Sequence, residues 1–207
     1  MPSDSTQSAN STSSFRLIAG RLALDFVNTA SNAHALSWED FVAFLASTQV
    51  VSLDRAARLR ALILQEPLAV RAVLAKILQL REAQLAIFSA LARKKTFSAS
   101  WTKPINEILR ITEGHDELMQ QGDRWRLQFI ARENGLEWLL AAIARSAAEL
   151  VTEGPAAPIG RCANPKCRLF FYDESRTHRR RWCSMAVCGN RHKVSTFLRR
   201  RPQRSQC

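Results

Sequence analysis

Four cysteines constrain this chain more than any other feature of its sequence. They follow the pattern C-x4-C-x15-C-x4-C, at Cys162, Cys167, Cys183 and Cys188, and the preceding 161 residues contain no cysteine. A structural zinc ion takes four ligands at the corners of a tetrahedron, and two local pairs of thiolates joined by a hairpin supply that geometry. The sequence therefore predicts one structural Zn²⁺ bound by these four side chains.

The same cysteines have other interpretations. Two disulfides are disfavoured because residues 1–14 lack the apolar core of a secretory signal, and a redox pair usually has two intervening residues beside a βαβ unit. His178 and His192 are substitute ligands, although four thiolates already fill a tetrahedron. Since such a shell leaves no open coordination position, we expect a structural and not a catalytic metal. The sequence also has no paired carboxylates at helical spacing with a plausible nucleophile, no glycine-rich phosphate loop and no readable Ser/His/Asp arrangement. No catalytic residues are therefore expected, and the chain is not expected to be an enzyme.

The residues around the cysteines predict a small finger over 160–202. Asn164-Pro165 is a turn signal inside the first cysteine pair, residues 169–172 form an apolar aromatic strand pattern, and residues 179–182 are the expected returning strand. A helix is predicted from about residue 184 to 200. Knuckle, hairpin and helix in this order are typical of a treble-clef-like zinc finger.

The finger region also carries nearly all of the net charge. Residues 160–207 contain 13 Lys and Arg against 2 Asp and Glu, which gives +11 of the chain's +12. Because like charges weaken a compact fold, this block predicts an anionic partner. Contacts between arginine side chains and phosphate groups are the simplest way to bind such a partner. Asn190 and Arg191 have the alternative role of locking the second cysteine pair. The candidate nucleic-acid-binding residues are Arg176, Arg179, Arg180, Arg181, Asn190, Arg191, Lys193, Arg199 and Arg200.

Aromatic side chains in this segment also have two interpretations. One is a small core around the metal, and the other is stacking on bases, as in proteins that bind single strands. We expect at least two of them to lie in the core. The aromatic residues concerned are Phe170, Tyr172, Trp182 and Phe197.

The region before the finger has the periodicity of a helical domain. Ser37 can cap a helix, Pro67 suits the first turn of a long one, and apolar residues then recur at helical spacing as far as Leu91. Alternation on both sides of the turn at residues 121–123 predicts a β-hairpin, and a last helix is expected over residues 133–151. The predicted fold class is mainly α, with one hairpin and an appended zinc finger.

Composition sets the expected boundaries. Residues 1–14 are predicted to be a disordered N-terminus, residues 15–153 a helical domain, residues 154–159 a Pro- and Gly-containing linker, and residues 203–207 a tail after the finger. No run approaches 18 consecutive apolar residues, so no membrane span is predicted. We expect a cytoplasmic protein.

Three polar residues near the start of the helical domain form a candidate ligand pocket. Asp25, Asn28 and Thr29 fall on the opposite side of a short segment from its apolar residues. They could line a site for a small-molecule effector. The alternative is that they cap a helix and fix its entry.

Two motifs resemble known families. CGNR at residues 188–191, with WCS at residues 182–184, resembles the CGNR zinc-finger family, whose ligands correspond to the four cysteines named above. GRLALDFVNT at residues 20–29 resembles the start of the ABATE domain, which commonly precedes this finger in bacterial proteins. The resemblance covers roughly residues 15 to 202. It implies a regulator of transcription, of a family described as stress-induced.

These observations lead to one main functional hypothesis and two alternatives. The main hypothesis is a cytoplasmic bacterial transcription regulator whose zinc finger binds DNA, while the helical domain senses a small-molecule effector or forms a homodimer. The first alternative is an RNA- or ribosome-associated binding protein, which the same charges would serve. The second is an enzyme in the helical domain that the finger targets.

Overall fold

The computed structural model describes residues 15–29, 36–133 and 135–200, with the side chains of Gln121, Arg126, Arg199 and Arg200 excepted. The segments 1–14 and 203–207, predicted above as a disordered N-terminus and a tail, lie outside the described residues. Among the helices in the described ranges, none combines the length and the apolar character needed to cross a lipid bilayer.

Helices dominate the chain, which confirms the predicted fold class. Short 3₁₀ turns at Ala99–Thr102, Glu137–Leu140 and Gly154–Ala156 separate some of them. The helices are α1 (Leu22–Asn28), α2 (Trp38–Ser47), α3 (Leu53–Gln65), α4 (Pro67–Leu91), α5 (Lys103–Ile111), α6 (Ala141–Glu153) and α7 (Asn190–Arg200).

The helix starts follow the sequence signals. The side chain of Ser37 accepts a hydrogen bond from the backbone N–H of Asp40, and the Asp40 carboxylate accepts one in return from the Ser37 N–H. Ser52 caps α3 through the N–H of Arg55, and Pro67 occupies the first turn of α4. The expected helix over residues 133–151 begins later, at Ala141. Gly135, with a φ of +68°, turns the chain before it.

Helix α1 lies at the centre of the helical body. It packs against α4 and α6 and, on another side, against a strand of the finger. Phe26 is fully buried and meets the rings of Phe41 and Phe44 at centroid distances of 6.2 and 5.7 Å. The short LALDFVN segment is therefore a core element that contacts α2, α4, α6 and the finger.

The predicted hairpin is present. Strands β1 (Gly114–Gln121) and β2 (Arg124–Ala131) pair antiparallel, from Gly114 opposite Ala131 to Gln121 opposite Arg124. Gly122 supplies the positive φ of the turn. The apolar side chains do not all face the core: Trp125 is 65% exposed and Leu127 is 67% exposed.

The finger contains a second antiparallel pair, but not the expected one. Strand β4 (Phe170–Tyr172) pairs with β3 (Ile159–Arg161), whereas residues 179–182, predicted as its partner, form no strand. These residues are held by individual bonds instead, since the N–H of Ala163 donates to the carbonyl of Arg181 at 2.9 Å. The predicted C-terminal helix begins with a π-helical turn, Met185–Gly189, and continues as α7.

Candidate metal centre and nucleic-acid surface

The four cysteine side chains converge on one point. Their sulfur atoms all lie within 4.8 Å of one another, with Cys167 3.5 Å and Cys188 3.7 Å from the sulfur of Cys183. Four thiolates about 2.3 Å from a zinc ion would be about 3.8 Å apart, so these spacings fit a tetrahedral centre. Cys162, Cys183 and Cys188 are buried, and Cys167 is partly buried. The cluster is the zinc-binding site predicted from the sequence.

Local turns bring each cysteine pair together. Asn164 accepts hydrogen bonds from the N–H groups of Cys167 and Lys166, through its carbonyl and its side chain respectively, which folds the first pair into a knuckle. Ser184 caps the second knuckle, because its hydroxyl accepts from the N–H of Val187 and its carbonyl from the N–H of Cys188.

The environment shifts the pKa values of the clustered thiols in different directions. Burial raises the pKa of Cys183, and hydrogen bonds with the neighbouring thiols raise it further. Burial alone would also raise the pKa of Cys188, but the amide of Asn164 and the other cysteines bring it below the ordinary value. Zinc binds the thiolate form, so ion binding at this cluster releases protons.

A small apolar cluster surrounds the sulfurs. Phe171 is fully buried and Trp182 nearly so, and both pack with the cysteines. Gly160, opposite Phe171, allows a close approach: a Cβ there would lie 2.5 Å from the Phe171 ring. The expectation that at least two of the four aromatic residues lie in this core is wrong: Trp182 lies in it, whereas Phe170 and Tyr172 pack with the helical body and Phe197 is 64% exposed.

The two histidines of the finger have other partners. His178 places Nδ1 2.7 Å from the carbonyl oxygen of Asp173, and the His192 ring lies on Trp182 with centroids 4.8 Å apart. Within the described residues, the cluster of potential metal ligands in the finger consists of the four cysteines alone.

The candidate arginines on the loop between β4 and the second knuckle differ from one another. Arg176, Arg179, Arg180 and Arg181 are all exposed. Arg180 differs from the other three because its guanidinium forms hydrogen bonds within the finger. Its Nε donates to the carbonyl of Trp182 at 2.8 Å, its terminal nitrogen donates to the carbonyl of Cys183, and the group lies 4.6 Å above the Phe171 ring. Arg180 therefore braces the second knuckle, a role that sequence position alone did not distinguish.

The helix that follows carries the other candidates. Asn190 is exposed and donates through Nδ2 to the carbonyl of Ala186 at 3.0 Å, so its amide closes the π-helical turn. Arg191 and Lys193 are exposed in the first turns of α7. Arg199 and Arg200 lie in its last turn, and their side chains are outside the described part of the chain.

The three residues of the candidate pocket form hydrogen bonds within the fold. One carboxylate oxygen of Asp25 accepts from the N–H groups of Ile18 and Ala19, each at 3.0 Å, and thereby ties the segment before α1 to the helix. The hydroxyl of Thr29 donates to the carbonyl of Phe26 at 2.6 Å.

Asn28 joins the helical body to the finger. Its side-chain amide donates to the carbonyl of Phe170 at 3.0 Å and accepts from the Phe170 N–H at 2.8 Å, so it pairs with β4 as another strand would. The N–H of Tyr172 donates to the carbonyl of Ala19 at 2.7 Å beside it. The sequence predicted no such contact, because the two partners lie 142 residues apart in the chain.

Charged and aromatic groups extend this contact. Arg21 pairs with Glu174 at 2.8 Å and lies 3.9 Å above the Tyr172 ring, whose hydroxyl donates to Glu153 at 2.9 Å. We call the contact between the segment 19–28 and strand β4 the docking seam. Outside this seam, Lys94 of the helical body donates to the carbonyl of Ala157 at 2.6 Å.

A helical body fused to a compact four-cysteine centre defines a zinc-finger protein with an N-terminal accessory domain. The family model for the CGNR zinc finger matches residues 159–201, and the model for the ABATE domain, described as a putative stress-induced transcription regulator, matches residues 20–154. The ABATE match covers more than half of the chain, so the chain belongs to this family. The resemblance drawn from the sequence is confirmed. A search of curated proteins found no match.

Proposed function

We propose that this chain is a cytoplasmic bacterial transcription regulator that binds DNA through its zinc finger and is not an enzyme. Family membership supports a regulatory role. The observation that carries the DNA-binding proposal is the net charge of +11 in residues 160–207, around the zinc-binding cluster. In this proposal, zinc holds the fold of the finger, and the arginines around it bind phosphate.

The contacts within the finger support this division of roles. The two acidic residues of the segment 160–207 are both engaged: Asp173 is buried and accepts from the N–H groups of Ser175 and Arg180, and Glu174 pairs with Arg21. The exposed cations on the same finger therefore keep a strong positive field. We propose that the phosphate-binding set is Arg176, Arg179, Arg181, Arg191 and Lys193, extended by Arg199 and Arg200, while Arg180 and Asn190 hold the second knuckle.

A salt titration of duplex DNA binding tests the proposal. If about five phosphates are contacted, log K should fall against log salt concentration with a slope of about −4 to −5, because each neutralised phosphate releases condensed counterions. Binding that does not change with salt, or no binding at low salt, would refute it.

Matched variants sharpen that test. Replacing Arg179 and Arg181 together with glutamine should reduce the magnitude of the slope by about two, since each arginine accounts for about one phosphate. Arg58→Gln on α3, an exposed arginine of the helical body, is the control and should leave the slope unchanged. Equal effects in both variants would show that the charge acts without a defined surface.

RNA is the second candidate partner, because the same charges would bind it and Phe197 exposes an aromatic ring that could stack on an unpaired base. Competition between duplex DNA and structured RNA of equal length separates the two. A strong preference for RNA would replace the DNA proposal.

For the rest of the chain, we propose that residues 15–153 form a sensing or dimerising unit, joined through residues 154–159 to the finger at residues 160–202. Sedimentation of the full chain at several concentrations tests dimerisation, and a single monomeric species would exclude it over that range. Asp25, Asn28 and Thr29 are better explained as ties of α1 and the docking seam than as a ligand pocket, because their side chains are bonded within the fold.

A further inference from the structure

A cleft lies beside the docking seam. Its volume is about 520 Å³, and its walls come from the hairpin, α6, the start of α1 and the turn that follows α2. This volume is within the range of small-molecule sites. Asp25, Asn28 and Thr29 are absent from its described lining, so the cleft differs from the candidate pocket considered from the sequence.

One wall of the cleft is apolar. It is formed by Leu22, Val50 and Leu127. Leu127 remains 67% exposed. An apolar ligand in such a concave site would cover these accessible side chains. The burial of their apolar surface would contribute favourable free energy to binding.

Two arginines also line the cleft. Arg145 lies 4.9 Å above the Phe129 ring and pairs with Asp116 at 2.7 Å, and Arg21 lies at the edge next to the finger. Asp116 lies on the exposed surface of the hairpin, where an ion pair contributes little. A carboxylate brought by a ligand could therefore replace Asp116 on the same planar donor group. Among the described lining residues Glu149 is the one acid, so the formal charge of this described lining is +1.

We propose that this cleft binds a small organic acid with an apolar body. Its single carboxylate pairs with Arg145, and its apolar part lies against Leu22, Val50 and Leu127. This inference rests on the proposed role of the helical body as a sensor. Arg21 lines the cleft and also pairs with Glu174 of the finger, so an occupant would lie next to the docking seam.

Calorimetric and NMR titration of the full, zinc-loaded chain tests the inference, with hexanoate, 4-phenylbutyrate and indole-3-acetate as probes. At least one probe should bind saturably, with a Kd on the order of 1 mM or tighter, as expected for molecules of this size. The amide of that probe, and acetate, should bind at least about tenfold more weakly, because they lack the charge or the apolar body. No saturable binding by any of the three, or equal binding of acid and amide, would overturn the inference.

Two matched pairs of variants locate the site. Leu127→Ser should weaken probe binding about tenfold or more. Leu64→Ser should not, since Leu64 is an exposed leucine of α3, a helix that contributes none of the described residues that line the cleft. Arg145→Gln should have a similar effect to Leu127→Ser, with Arg58→Gln as its control. Unequal loss within each pair supports the cleft, and equal loss or no loss overturns it.

The titration contains no nucleic acid. Failure of probe binding would therefore leave the DNA-binding proposal standing, and failure of the salt titration would leave the cleft untouched.

Discussion

The helical body and the finger of this chain are stabilised in different ways. The body has one continuous cluster of buried apolar side chains that draws on α1 to α6 and on residues after them. The buried cluster of the finger has six members, and three of these are cysteines. A cluster of this size buries too little apolar surface to stabilise a fold, so the metal must supply most of the folding free energy.

Strand β4 belongs to both regions. Phe170 is part of the apolar cluster of the body, whereas its neighbour Phe171 is part of the finger cluster. Successive side chains of a strand point to opposite faces, so this three-residue strand places one side chain in each of the two apolar clusters. The finger is therefore anchored to the body and is not an independent module on a flexible tether.

Removal of the metal should produce the largest effect. In Cys183→Ser, bound zinc should fall from one equivalent to none, and nucleic-acid binding should be lost, because structural zinc contributes on the order of 10 kcal/mol to such modules. The helical body should persist, and the Phe170 amide should remain protected from hydrogen exchange. Metal analysis, circular dichroism and exchange by mass spectrometry measure these outcomes.

Cys207→Ser is the matched control, since Cys207 is outside the C-x4-C-x15-C-x4-C pattern. It should retain zinc and binding. Nucleic-acid binding that survives the loss of zinc in Cys183→Ser would show that the metal does not organise the basic surface.

Loss of the docking seam should have the next largest effect. Asn28→Ala removes two hydrogen bonds and leaves the N–H and carbonyl of Phe170 buried without partners, which should lower the free energy of unfolding by about 2–4 kcal/mol. Urea unfolding of the zinc-loaded chain measures the change. Asn106→Ala, at an exposed asparagine of α5, should cost less than about 1 kcal/mol. Equal effects of the two substitutions would mean that Asn28 does not couple the regions.

The sequence predicted local features well. The spacing of Cys162 to Cys188 and the caps at Ser37 and Ser52 each depend on neighbours a few residues away, so the pattern alone identified them. The family motif GRLALDFVNT was recognised, but the partner of Asn28 is 142 residues further along the chain, and no local pattern contains that contact.

The sequence predicted less where neighbouring residues of the same type have different roles in the structure. Nothing in the run RRR at residues 179–181 identifies Arg180 as the arginine that braces the knuckle, because that role depends on where the carbonyls of Trp182 and Cys183 point. The expected strand over residues 179–182 fails for a related reason. Residues 159–161, assigned partly to the linker, pair with β4 instead.

A smaller effect is expected at the close approach between β3 and β4. In Gly160→Ala the new Cβ would lie 2.5–2.6 Å from atoms of the Phe171 ring, which is fully buried and cannot move without disturbing the finger cluster. Overpacking of this kind costs about 1–3 kcal/mol, and the loss should appear as faster release of zinc to a chelator. Gly122→Ala is the contrasting variant: nothing lies near its Cβ, so any cost there comes from its positive φ and should leave zinc release unchanged.

The smallest effect concerns a charge in the body, at Asp25. Burial raises the pKa of this carboxyl to about 6 from its ordinary value of 3.8, although the N–H groups of Ala19 and Ile18 lower it. The folded chain thus binds this proton more tightly than the unfolded chain does. The resulting stability is fully present below pH 3.8 and is lost as the pH rises through about 6.

Asp25→Asn isolates that contribution. The amide oxygen can still accept both N–H groups, which bond to a single carboxylate oxygen in the native chain, while the buried charge is removed. At pH 7.5 the variant should be more stable than the native chain by about 1–2 kcal/mol, and the difference should vanish near pH 4. Urea unfolding at both pH values measures it, with Asp123→Asn in the hairpin turn as the exposed control. A variant that is less stable at pH 7.5 would show that the negative charge itself, and not the acceptor, fixes the entry into α1.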